Sequence, residues 1–127
     1  MSKQIIETKE APAPIGPYNQ AILANNTLYV SGQIALDAHS GEMINHNITE
    51  ETHQVMKNIG AILKEGGLNY SHVIKASVFV KDMNLYSRIN AIYLEYFGEE
   101  FAPARELVEV ANLPKFVNVE ISVIAGK

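Results

Sequence analysis

Val117-Asn118-Val119-Glu120-Ile121-Ser122-Val123-Ile124 sets apolar side chains at 117, 119, 121 and 123 against Asn118, Glu120, Ser122 and Ile124. Neighbouring residues of a strand point to opposite sides, so this run predicts a strand with one face against a core and one mixed face. A half-apolar face on a small chain needs cover, and a second copy of the chain is the natural cover, so oligomerisation is expected.

Outward from this strand, the chain predicts alternating elements. Asn19 to Ala24 and Thr27 to Ile34 read as a hairpin, because Asn25-Asn26 tolerates the positive φ of a two-residue turn. Between Thr49 and Glu65, Val55, Met56, Ile59, Ile62 and Leu63 recur at spacings of three and four, the mark of a helix with one buried stripe. Asn47 or Thr49 can cap its start, and Gly66-Gly67 can close its end. Val73 to Val80 is β-branched and reads as a central strand. A second helix is expected over 85–97, capped by Asn84, with Ile89, Ile92, Tyr93, Tyr96 and Phe97 on one face. Glu106 to Val110 and Val117 to Ala125 complete the set as strands, and a short strand near Met43-Ile44 is possible. Pro12, Pro14 and Pro17 make the N-terminal segment an irregular lead-in. The order predicts an α+β fold: a mixed sheet of roughly six strands with both crossover helices on one face.

Composition bounds the function. With 127 residues, one domain spanning 1–127 is expected. No apolar run approaches the roughly 20 residues of a membrane span, and the first residues lack the apolar centre of a signal peptide, so a cytoplasmic protein without a membrane partner is expected. Cysteine is absent, which removes thiol nucleophiles, disulfides and thiolate metal sites. The formal net charge of -4 offers polyanions no overall attraction, so nucleic acid is not an expected partner. His39, His46, His53 and His72 form neither H-x-H nor H-E-x-x-H, so no metal site is expected, and they read as surface residues. Gly66-Gly67 has no accompanying phosphate-loop lysine, and Ser31 lacks the surroundings of a serine nucleophile.

What stands out is a pair of charges, Arg105 and Glu120. If strands 105–110 and 117–124 pair antiparallel with Leu107 opposite Glu120, then Arg105, Leu107, Glu120 and Ser122 share a face. Guanidinium grips a carboxylate bidentately, and a carboxylate beside it can orient a water. A structural ion pair at an oligomer interface is an equal reading of the same two residues. Three further positions carry similar alternatives. Gly32 lets a ligand approach the backbone or marks a bulge, Tyr18 presents a hydroxyl or packs a turn, and Asn90 reaches a site or ties down a loop. Tyr86, Tyr93, Tyr96 and Phe97 read as core or interface packing.

Several blocks then agree at once. Ile15-Gly16-Pro17-Tyr18, Val30-Ser31-Gly32-Gln33-Ile34, Val78-Phe79-Val80-Lys81-Asp82-Met83, Ile89-Asn90-Ala91-Ile92-Tyr93, Pro103-Ala104-Arg105 and Val108-Glu109-Val110-Ala111-Asn112-Leu113-Pro114-Lys115 resemble the signature blocks of the Rid family, also called the YjgF family. The resemblance runs in order from Pro12 to Ala125. It implies a chorismate-mutase-like fold and a homotrimer with sites in clefts between subunits. It also implies hydrolysis of 2-aminoacrylate, 2-aminocrotonate and their imines to 2-keto acids and ammonia, with no cofactor. By the same resemblance, Arg105 holds the substrate carboxylate and Glu120 positions a water. Tyr18, Ser31, Gly32 and Asn90 line the cleft, and the backbone at Leu107 adds a polar contact. Relatives described as ribonucleases or translation inhibitors, and a non-catalytic keto-acid-binding module, remain alternatives. One departure stands out: the family commonly reads Pro-Ala-Arg-Ser-Cys, whereas Glu106 and Leu107 follow Arg105 here. Alternation sends Glu106 to the face opposite Arg105.

Overall fold

The computed structural model describes residues 2–127. In chain order the elements are β1 (Gln4–Ile6), β2 (Ala21–Ala24), β3 (Thr27–Gln33), α1 (Ile48–Glu65), β4 (Val73–Val80), α2 (Tyr86–Phe97), β5 (Ala104–Glu109) and β6 (Val119–Gly126). They form a 6-stranded mixed sheet in the order β1-β2-β3-β6-β4-β5, antiparallel throughout except for the parallel pair β4 and β5.

Both helices cover one face of the sheet. In β6, Val119, Ile121, Val123 and Ala125 are buried and their alternates only partly so, the expected period-two division. From α1, Val55, Met56, Ile59, Ile62 and Leu63 meet that face fully buried, and Ile89, Tyr93 and Phe97 of α2 join the same cluster. Each such aliphatic side chain contributes roughly 1.5–3 kcal/mol by leaving water, which holds the helices to the sheet. Asn25 and Asn26 take φ of 51° and 62°, the left-handed pair that closes the β2–β3 hairpin. Asn47 caps α1 by accepting from Glu50 N, and Gly66 ends the helix with its N–H on Ile62 O.

Four expectations need correction. The N-terminal segment is not wholly irregular: Gln4–Ile6 adds an edge strand beside β2, although the run is too short to show a period. Asn84 does not cap the second helix. It lies inside a 3-10 turn, Met83–Leu85, that precedes α2, and it is Asp82 that accepts from Asn84 N. His53 is not a plain surface residue, since its Nδ1 lies 2.8 Å from the Tyr96 hydroxyl. Most consequentially, β5 and β6 do not pair. The β4–α2–β5 crossover lays β5 outside β4, while β6 inserts between β3 and β4. The burial patterns carry the physical reason: β6 has a deeply buried alternate set suited to a central position, whereas β5 is mostly exposed, as an edge strand is.

The near-strand at Met43-Ile44 is a single bridge from Met43 to Leu36. Among the described residues, no helix is long and apolar enough to cross a membrane.

Candidate active site: two clusters on opposite faces of the sheet

With β4 between their strands, the register sets Arg105 level with Ala76 and Val123, on the helix-covered face. Glu120 is level with Phe79 and Val108, on the other face. Arg105 and Leu107 therefore do share a face, but Glu120 and Ser122 lie on the opposite one, and the expected common face is overturned. Glu106 points away from Arg105, where it accepts from Ser77 and pairs with Lys75 Nζ at 3.0 Å. Those contacts, first Ser77 and then Lys75, hold its carboxyl below the usual range. It does not compete for the Arg105 guanidinium.

The first cluster is built by α2 and β5. Positions 86, 90 and 93 fall on one side of α2, since residues four and seven apart align along a helix. Asn90 Oδ1 accepts from Arg105 Nη1 at 2.7 Å, and the Tyr86 hydroxyl accepts from Nη2 at 3.4 Å. The guanidinium carbon lies 4.8 Å from the centre of the Tyr93 ring and 5.8 Å from that of Tyr86. Among the described residues no carboxylate pairs with Arg105. All its partners are neutral, so the cation keeps its charge and its ability to bind an anion. A hollow of about 360 Å3 opens beside it, walled by Asn90, Tyr93, Leu94, Glu99, Ala102 and Pro103.

Leu107 packs against the core two residues on. Val110 N donates to Val80 O at 2.8 Å, so by alternation the backbone polar groups of Val108 and Glu106 turn toward β4. Those of Leu107 and Arg105 turn to the free edge of the sheet.

On the other face, β3 and β6 build the second cluster around Glu120. A β-bulge between Val30 and Gln33 brings Ser31 and Gly32 beside it. A Cβ at Gly32 would stand 2.8 Å from the Glu120 carboxyl carbon and Oε1, so glycine is what admits that carboxyl. The bulge reading of Gly32 holds, and the group that approaches it is Glu120 of the same chain. Ser31 is held in place: its Oγ donates to Asn19 O at 2.6 Å and its N–H to Gln20 O at 2.9 Å. Tyr18 stands exposed nearby with its hydroxyl accepting from Ile15 N at 3.3 Å. Ile15, Tyr18, Ser31, Gly32, Pro114 and Glu120 enclose a hollow of about 390 Å3. Glu120 is half-buried with no hydrogen-bonding side-chain partner among the described residues, and burial raises its pKa above the ordinary value of 4.5. Such a carboxyl can both take and return a proton.

A larger hollow of about 880 Å3, around Glu7, Lys9 and His39, contains none of these groups. Its size alone gives it no chemistry.

Sequence reasoning missed three contributors. Tyr86 and Tyr93 flank the guanidinium, and the spacing 86, 90, 93 was the available signal. Glu51, fully buried at the start of α1, accepts from Asn118 N at 2.8 Å, Asn118 Nδ2 at 2.8 Å and Val119 N at 3.3 Å. A buried glutamate one turn into a helix gave no sign of bonding to a strand 67 residues away.

The fold and the two clusters define a class: a mixed-sheet α+β protein carrying, among the described residues, an arginine with no carboxylate partner and a half-buried glutamate. Residues 8–127 match the family described as Endoribonuclease L-PSP, and the chain belongs to that family, the YjgF or Rid family. A RutC family protein of Synechocystis is 51% identical over 126 residues, covering 98% of this chain and 97% of that protein. A Bos taurus protein named 2-iminobutanoate/2-iminopropanoate deaminase is 46% identical over 123 residues, covering 97% and 89%. The crystal structure of a Rid family protein from Yersinia pestis superposes with a TM-score of 0.96 at 45% identity, covering 99% of this chain and 100% of that one.

Proposed function

We propose that this protein is a cytoplasmic deaminase that hydrolyses small 2-imino acids and their enamines, such as those derived from 2-aminoacrylate and 2-aminocrotonate, to 2-keto acids and ammonia. The active site is completed by two copies of the chain within a homotrimer. The observation that carries this reading is the separation of an unneutralised Arg105 from Glu120 on opposite faces of one sheet. One chain cannot bring them to one substrate, whereas an Arg105 face docked on a neighbour's Glu120 face can. The apolar character of the second face, with Tyr29 48% exposed and Val108 41% exposed, supports such docking.

In this reading Arg105 takes the substrate carboxylate, and the outward N–H or C=O of Leu107 on the same strand adds a backbone contact. Asn90 holds the guanidinium. From the adjoining copy, Glu120 orients a water against the imine carbon and receives a proton as the C–O bond forms. That proton passes to the imine nitrogen to give a carbinolamine; the new hydroxyl then loses its proton through Glu120 to the amine, the C–N bond breaks, and ammonia leaves as the carbonyl closes. Enamines enter after tautomerising to the imine. Because an imine carbon is already electrophilic, positioning and one proton relay suffice. Tyr18, Ser31 and Gly32 wall the space around the water. Leu107, where the resembled family commonly reads cysteine, packs its side chain against the core, so the replacement keeps the backbone contact.

A dehydratase that releases 2-aminocrotonate from threonine supplies the test. Adding this protein is expected to speed 2-ketobutyrate release, and Arg105→Ala is expected to abolish the gain. An unchanged rate at comparable enzyme levels would overturn the deaminase reading for that substrate. The family's description gives a second reading, RNA cleavage, which the net charge of -4 disfavours. RNA cleavage that persists through purification and disappears in Arg105→Ala would establish it.

A further inference from the structure

We infer that Tyr86 is a second ligand-binding residue of the Arg105 cluster, donating its hydroxyl proton to the same carboxylate that the guanidinium grips. This rests on the reading of Arg105 as a carboxylate clamp.

The Tyr86 oxygen is already engaged with the cation. It accepts from Arg105 Nη2 at 3.4 Å, so the lone pair faces the cation and the O–H bond turns away from it. The hydroxyl is thus a donor placed beside a positive charge, with the residue 42% exposed. A phenol there is made more acidic by its neighbours, first by the hydrogen bond from Asn90 and then by the charge of Arg105, and its pKa falls below the usual value of 10.0. More acidic donors make stronger bonds to carboxylate.

The acceptor count agrees. Guanidinium has five N–H donors, of which Asn90 and Tyr86 engage one each, leaving donors for an anion. A carboxylate offers about four lone-pair positions on two oxygens, enough for the guanidinium and a phenol together. Tyr93 supplies contrast within the same cluster. Its ring lies closer to the guanidinium, but its hydroxyl is buried without a partner and burial raises its pKa, so it supports the cation through its ring. Tyr86 is the tyrosine whose hydroxyl a small anion can reach. The recognised class is a small monocarboxylate, and the 2-oxo or 2-imino group lies beyond the clamp.

Calorimetric titration with 2-ketobutyrate separates the possibilities, using wild type, Arg105→Ala and Tyr86→Phe. Tyr86→Phe keeps the ring over the guanidinium and removes only the hydroxyl. The expected result is loss of binding in Arg105→Ala and affinity weaker by about tenfold in Tyr86→Phe, the worth of one hydrogen bond to a charged group. In turnover, Tyr86→Phe should raise KM by about the same factor and leave kcat nearly unchanged, because the carboxylate is held equally in ground and transition states. If Arg105→Ala binds as well as wild type, the clamp itself is overturned. If Arg105→Ala fails to bind while Tyr86→Phe matches wild type in affinity and KM, the clamp stands and the Tyr86 inference is overturned.

Discussion

Glu120 is the residue on which the proposed chemistry turns, and its surroundings give it a testable signature. Its carboxyl is half-buried beside Gly32 without a compensating side chain, so its pKa lies above the ordinary 4.5. If the reaction needs the carboxylate, kcat/KM should fall on acidification with a midpoint above that value. Glu120→Gln should lower turnover strongly and remove the acid limb, as read from a pH profile. Stability carries the opposite sign. Over the window between the ordinary and the raised pKa, the native carboxyl holds a proton that the unfolded chain has lost, so stability falls as pH rises through it. Glu120→Gln removes that fall, and its Tm at neutral pH should equal or exceed that of wild type. A half-buried, unpaired carboxyl costs stability, which fits the role proposed for it.

The elements that present Glu120 depend on a contact from across the fold. Glu51 of α1 closes three N–H groups at the entrance to β6, two on Asn118 and one on Val119. Glu51→Ala leaves those donors buried and is expected to cost about 3 kcal/mol in denaturant unfolding, while Glu51→Gln, keeping an acceptor oxygen, should cost less. This contact was invisible beforehand because nothing local marks a long-range acceptor. By contrast, α1, α2, the Asn25-Asn26 hairpin and the alternation of β6 were all legible, because period and turn chemistry lie in adjacent residues. Strand neighbours were not legible in the same way. Pairing β5 with β6 followed chain proximity, which holds for about two-thirds of consecutive strands. The burial of Val119, Ile121 and Val123 instead placed β6 at the centre of the sheet and left β5 at its edge.

That error in strand order changes the reading of the whole molecule. On a shared face, Arg105 and Glu120 could have been a salt bridge or a site inside one chain. On opposite faces, neither is possible within one chain, and in the proposed assembly the half-apolar second face is the surface that receives a neighbour. Arg105, Asn90, Leu107, Tyr18, Ser31, Gly32 and Glu120 were all named by the sequence, whereas Tyr86 and Tyr93 were legible only as packing. Their division into a guanidinium cluster and a carboxylate cluster followed only from the register. The central claim is that each active site takes Arg105 from one copy and Glu120 from another, and subunit mixing tests it directly. Arg105→Ala and Glu120→Ala proteins, each inactive alone, are unfolded, mixed in equal amounts, refolded and assayed for dehydratase-coupled keto-acid release. Random assembly gives each site an even chance of drawing each native residue, so activity should return to about a quarter of wild type whatever the number of subunits in the ring. Activity that stays at the level of the two inactive proteins, while wild type recovers fully through the same treatment, would contradict the account.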